Sequence, residues 1–143
     1  MMPDSNPVPP GYEPHFRKSP VTDPWEPLYV RRDGSALSLG LRIAAEHCNA
    51  RGLLHGGVIS ALADNAMGLA CVLQRERSSA LTVSLSVDFL AVGRIGQWFE
   101  VHALPAKLGR TLAFADARIE SDGEMIAKAA ATFRIVEVAE NAA

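Results

Sequence analysis

Cys48-Asn49-Ala50-Arg51-Gly52-Leu53-Leu54-His55-Gly56-Gly57-Val58-Ile59-Ser60-Ala61-Leu62-Ala63-Asp64 opens polar and glycine-rich, then becomes apolar and alanine-rich. From Gly57 to about Gln74 there is no proline and helix formers dominate, which predicts a helix. Val58, Leu62, Ala66 and Leu69 recur at helical spacing, and Ile59, Ala63 and Ala70 widen the stripe. A helix apolar almost all round is buried rather than laid on a surface. One carboxylate, Asp64, falls inside it. Its helical neighbours Ser60, Ala61, Met67 and Gly68 are small or apolar, so a charge there is costly unless something uses it.

Strands surround this helix. Before it, 28–32 reads as a short strand, Asp33-Gly34 as a hairpin turn, and 36–45 as the returning strand. After it, Leu81, Val83, Leu85, Val87 and Phe89 alternate with Thr82, Ser84, Ser86 and Asp88. That is the pattern of a half-buried strand, with the apolar set facing inward. Strands are also expected at 97–104, 112–120 and 125–136, separated by turns at 93–96, 107–110 and 121–123. Short turns imply antiparallel neighbours. The fold class that follows is α+β, a long antiparallel sheet wrapped around one central apolar helix. Alanines at 113, 115, 117, 127, 129 and 131 suit close approach between the sheet and another element. Residues 1–27 hold eight of the nine prolines and predict a disordered or draped arm. The body spans 28–137, and a frayed tail is expected at 138–143.

Composition excludes several classes. A chain of 143 residues at net charge −2 has no global field favouring nucleic acid or anionic membrane. No apolar run approaches the ~20 residues of a membrane span. The first residues lack the basic and apolar regions of a secretion signal. The two cysteines, Cys48 and Cys71, suit reduced thiols, so a cytoplasmic location is expected. Neither they nor His47 and His55 are spaced as a zinc site, and no metal or separate cofactor is expected.

Asn49-x-x-Gly52-x-x-His55-Gly56-Gly57, followed by Leu62-x-Asp64, resembles the hotdog-fold acyl-CoA thioesterases of the phenylacetate-pathway (PaaI) type. Thr82 and the Lys107-Leu108-Gly109-Arg110-Thr111 stretch stand where that family carries its next strand and turn. The resemblance covers about 36–136. It implies an acyl-CoA thioesterase in which Asp64 is nucleophile or general base. The Gly56 and Gly57 amides at the helix start would polarise the carbonyl. His55 either assists the thioester or caps the helix, and Asn49 either hydrogen-bonds the site or His55, or shapes a turn. Thr82 would position water, and Lys107, Arg110 and Thr111 would hold CoA phosphates. A non-catalytic acyl-CoA-binding protein and a hydratase or dehydratase are the alternatives.

Spacing adds a constraint. Gly57 and Asp64 are seven positions apart, roughly 10 Å along a helix. One thioester carbon cannot touch both. A composite site is therefore expected, shared across a homodimer, with a homotetramer as a further assembly. Met67, Leu69 and Phe89 are expected to set pocket depth.

Overall fold

The computed structural model describes residues 7–138; the expectations for 1–6 and for a frayed tail at 139–143 fall outside the described residues. In chain order the strands are β1 (Glu13–Pro14), β2 (Tyr29–Asp33) and β3 (Ala36–Arg42), then helix α1 (Gly56–Val72). β4 (Ser78–Phe89), β5 (Trp98–Leu108), β6 (Leu112–Ser121) and β7 (Glu124–Glu137) follow. They form one antiparallel seven-stranded sheet that wraps the helix, as the sequence implied. Its inward alternation is regular on β3 (Leu37, Leu39, Leu41), β5 (Phe99, Val101, Ala103) and β7 (Ala127, Ala129, Ala131, Phe133), all buried. The alanines of β6 and β7 leave room for α1, whose Leu62 and Met67 have no exposure. Such large buried side chains contribute about 1.5–3 kcal/mol each. Hairpin turns fall where the sequence put them. Gly34 (φ 61°) joins β2 to β3, and Asp122 with Gly123 (φ 46° and 82°) joins β6 to β7.

Strand order departs from the expectation that consecutive strands are neighbours. The order is β1-β2-β3-β5-β6-β7-β4. The helix carries the chain across the concave face, so β4 starts at the far edge and pairs with β7, while β5 returns beside β3. The connection at 90–97 is pinned under the sheet. Leu90 and Ala91 donate to the Ile126 carbonyl, and Leu54 donates to that of Gly93. A Cβ at Gly93 would lie 3.0 Å from Ile43 and 3.1 Å from Leu54, so a side chain there would have to push both aside.

The alternation expected for β4 is also broken. Its register with β7 shifts between Thr82 and Ser84, leaving Val83 as a bulge residue. Before the bulge Ala80 and Thr82 lie opposite Ile135 and Phe133; after it Leu85, Val87 and Phe89 lie opposite Ala131, Ala129 and Ala127. These β7 partners all belong to its inward row. Thr82 therefore shares the helix-facing side with Val87 and Phe89, and Leu81 does not. A bulge of this kind re-aims a side chain without ending the strand.

Smaller differences concern element ends. The strand expected over 36–45 stops at Arg42, because Ala44 donates to His47 Nδ1 and a 3-10 turn forms at Ala45–His47. β5 runs through Lys107 and Leu108 beyond a bulge at Ala106, so the turn is confined to 109–111. Residues 7–27 lie against the body. Tyr12 packs edge-on against Trp98 and donates to Glu100 Oε2 (2.6 Å), on the face of β5 away from the helix. Burial and then Glu100 hold its phenol above the ordinary value.

Candidate active site

The helix start is built by His55. As N-cap, its Nδ1 accepts the Gly57 N–H at 2.8 Å. In the neutral ring Nε2 then carries the proton and faces solvent as a donor. The cap also separates the two glycines. Gly57 lacks a side chain because a Cβ there would lie 2.9 Å from His55 Nδ1, and its amide is consumed by the cap. The expectation that both glycine amides face a ligand is corrected to one. Among the described residues the Gly56 N–H has no acceptor, and the Phe89 ring stands 3.3 Å from where its Cβ would be. Asn49 makes no bond to His55. Its Oδ1 accepts from Arg51 (2.9 Å) and Leu53 (3.1 Å), which organises the loop that leads to the helix.

At the other end of the half-buried side of α1, Thr82 Oγ1 donates to Asp64 Oδ1 at 2.6 Å. This is the length of a charge-assisted O–H···O⁻ bond. Asp64 Oδ2 has no hydrogen-bond partner among the described residues. Both residues line a cavity of about 140 Å³ with Arg17, Asn65, Gly68, Leu69, Ser79 and Phe133 among its walls. Of the residues expected to set pocket depth, Leu69 lines this cavity, Phe89 guards Gly56, and Met67 belongs wholly to the core.

The sheet curls until both edges reach the helix. Thr82 comes from the β4 edge, and from the β1 edge His15 Nε2 meets Asn65 Oδ1 at 3.0 Å. His15 is buried, and its Nδ1 accepts the Arg17 N–H. His15, Arg17 and Asn65 were missed from sequence. His15 and Asn65 lie 50 residues apart, and no local pattern joins a proline-rich arm to a helix.

Lys107, Arg110 and Thr111 are exposed at the end of β5 and the following turn and do not line the Asp64 cavity. Arg75, in the loop after α1, holds this turn by donating to the carbonyls of Gly109 and Arg110. Burial pushes the thiols of Cys48 and Cys71 up, the opposite of what a nucleophilic cysteine needs. His47 is buried with both ring nitrogens engaged, to Ala44 N–H and the Trp25 carbonyl. Among the described residues one set could hold a metal, Glu100, His102 and Glu120, with ligand atoms within 4.8 Å. It lies on the sheet face away from Asp64, tied to Tyr12, Ser38 and Arg118.

Residues 51–128 match the family model described as the thioesterase superfamily. A Pseudomonas aeruginosa protein described as an esterase is 42% identical over 130 residues, covering 90% of this chain and 97% of that one. The chain belongs to the thioesterase superfamily. It is a thioester hydrolase by family, with the hotdog architecture. This thioesterase is 29% identical over 90 residues to human acyl-coenzyme A thioesterase 13, covering 62% of this chain and 64% of that one. Its fold superposes on a mutant form of the phenylacetic acid degradation protein PaaI from Thermus thermophilus. That match has a TM-score of 0.72 at 25% identity, covering 81% of this thioesterase and 98% of PaaI. The matched segment of the family model contains His55, Gly56, Asp64 and Thr82. Among the described residues no helix of the thioesterase is long and apolar enough to cross a membrane.

Proposed function

We propose that the chain hydrolyses acyl-CoA thioesters to the free acid and CoA, with Asp64 as the reacting carboxylate. The observation that carries this is the Thr82 hydroxyl on Asp64 Oδ1 beside a cavity. One oxygen is held and the other is left for chemistry. Oδ2 either takes a proton from water, whose oxygen then attacks the carbonyl carbon, or attacks that carbon itself to give an anhydride that water opens. In both routes the C–S bond breaks and the sulfur leaves as thiolate. The Gly56 N–H stabilises the oxyanion, and the His55 cap on Gly57 fixes the helix start that presents it.

Gly56 and Asp64 are eight positions apart, about 12 Å along the helix. The two half-sites therefore belong to different pockets of one chain and meet across a homodimer. β4 supports this assembly. It is a twelve-residue edge strand with Leu81, Val83 and Phe89 more than half exposed, and it carries no lysine or proline. A long edge with exposed apolar side chains, bulged only at Val83, invites a second strand. A second copy laid antiparallel on it would continue the sheet and bring its own Gly56 toward Asp64. Exposed Leu104, Leu112 and Phe114 on the outer face support pairing of two dimers into a tetramer.

A thiol-release assay over a panel of acyl-CoAs tests the activity, with Asp64→Asn as control. Release that collapses in the variant is expected. Release indifferent to Asp64→Asn removes the mechanism, and no release from any thioester leaves a binding protein. A single turnover in ¹⁸O-water that leaves label in Asp64 identifies direct attack, with water opening the anhydride at the aspartyl carbon, because the general-base route labels only the product acid.

A further inference from the structure

Beside the Asp64 cavity runs a larger groove of about 630 Å³ that shares Arg17, Val72 and Ser79 with it. Arg17, Lys18, Arg75 and Arg77 line the groove, and among the described residues no acidic one does. Its cations are not equivalent. Lys18 is paired with Glu26 at 3.1 Å. Arg75 is fixed by backbone carbonyls, which hold a guanidinium in place without neutralising it. The Arg17 guanidinium has no hydrogen-bond or ion-pair partner among the described residues, yet it stands where groove and cavity meet. Its backbone is anchored there through its N–H on His15, whose other nitrogen meets Asn65, the residue after Asp64. The arm thus presents a fixed backbone with an uncommitted fork of donors toward an anion.

We propose that this groove binds the phosphate groups of the thioester's carrier, with Arg17 as the innermost cation and Arg75 as a preset second one. The proposal rests on the acyl-CoA reading for the identity of the anion, but the site itself is defined by the arm and the loop after α1. It moves the phosphate contacts from the exposed Lys107 and Thr111 to the groove, and keeps the Arg110 turn as a support reached through Arg75. A phosphate seated there would leave the carrier's thioester end directed along the shared wall toward Thr82 and Asp64.

Calorimetric titration with 3′,5′-ADP, which carries two of the carrier's three phosphates but no thioester, tests the groove without requiring turnover. Kinetics then compare the best acyl-CoA of the panel with the same acyl group on pantetheine. Loss of one charge-assisted contact predicts that Arg17→Ala weakens 3′,5′-ADP about tenfold. It should raise KM for the CoA thioester several times more than KM for the pantetheine thioester, with Arg17→Lys recovering much of the loss. No binding of 3′,5′-ADP to the wild type, or equal KM changes for the two thioesters, would overturn the proposal. Arg17-dependent binding of 3′,5′-ADP without hydrolysis of any thioester would retain the groove and refute the activity instead.

Discussion

Thr82→Val removes one hydroxyl from the site and little else. The two side chains share a shape and a strand preference, and Thr82 lies on the exposed edge strand. What is lost is the 2.6 Å bond to Asp64 Oδ1. Hydrogen bonds to charged groups contribute about 1.5–3 kcal/mol, and water competes at this exposed position, so the lower end applies. About 1.5 kcal/mol of lost positioning corresponds to roughly a tenfold fall in kcat/KM. Stability should stay within about 0.5 kcal/mol of wild type, and Thr82→Ser should retain most of the activity. Steady-state thiol release on the best acyl-CoA, with thermal denaturation alongside, measures all three. A Thr82→Val enzyme as fast as wild type would show that the hydroxyl does not prepare the carboxylate, and a Thr82→Ser enzyme as slow as Thr82→Val would show that the methyl matters instead.

Two further outcomes follow from the same structure. Gly57→Ala places a Cβ 2.9 Å from His55 Nδ1, so the ring must shift and the cap is weakened. A loss of about 0.5–2 kcal/mol in thermal denaturation is expected, with a fall in activity as His55 leaves its place. The Tyr12 phenol is held above its ordinary value of 10.0, first by burial and then by Glu100. Since the folded value is raised, its contribution to stability is complete below about pH 10 and is lost as pH climbs through the folded value. The titration difference between wild type and Tyr12→Phe, followed by tyrosinate absorbance, should therefore have its midpoint above 10.0, and Tyr12→Phe should flatten the loss of stability at high pH.

Much of this molecule is legible in its sequence. The helix follows from the spacing of Val58, Leu62, Ala66 and Leu69, and the alternation on the last strand predicts its buried row correctly. Residue alternation is a local signal, however, and the bulge at Val83 is not. Nothing in Thr82-Val83-Ser84 marks it, since no glycine is required, and its effect is to reverse which residues face the helix in the part of β4 before Val83. Strand order escaped for a related reason. Residues 90–97 look like a hairpin connection, but the partner of β4 is chosen by where α1 delivers the chain. At the site, the family resemblance pointed to Thr82 as a residue that positions water, while its bond to Asp64 and the unequal roles of the two glycines required the three-dimensional arrangement. The arm's contribution through His15 and Arg17 depends on the sheet curling until its edges meet over the helix, which no segment encodes alone.

The central claim is that Gly56 of one chain and Asp64 of another act on the same thioester. Gly56→Pro removes the amide donor and Asp64→Ala removes the acid, so each homodimer should be inactive. Random exchange of the two yields heterodimers in half of all dimers, each with one intact composite site, so about a quarter of wild-type activity should return. Thiol release measured after proven subunit exchange gives the answer. Recovery near that level is the result predicted here, and none at all would contradict it.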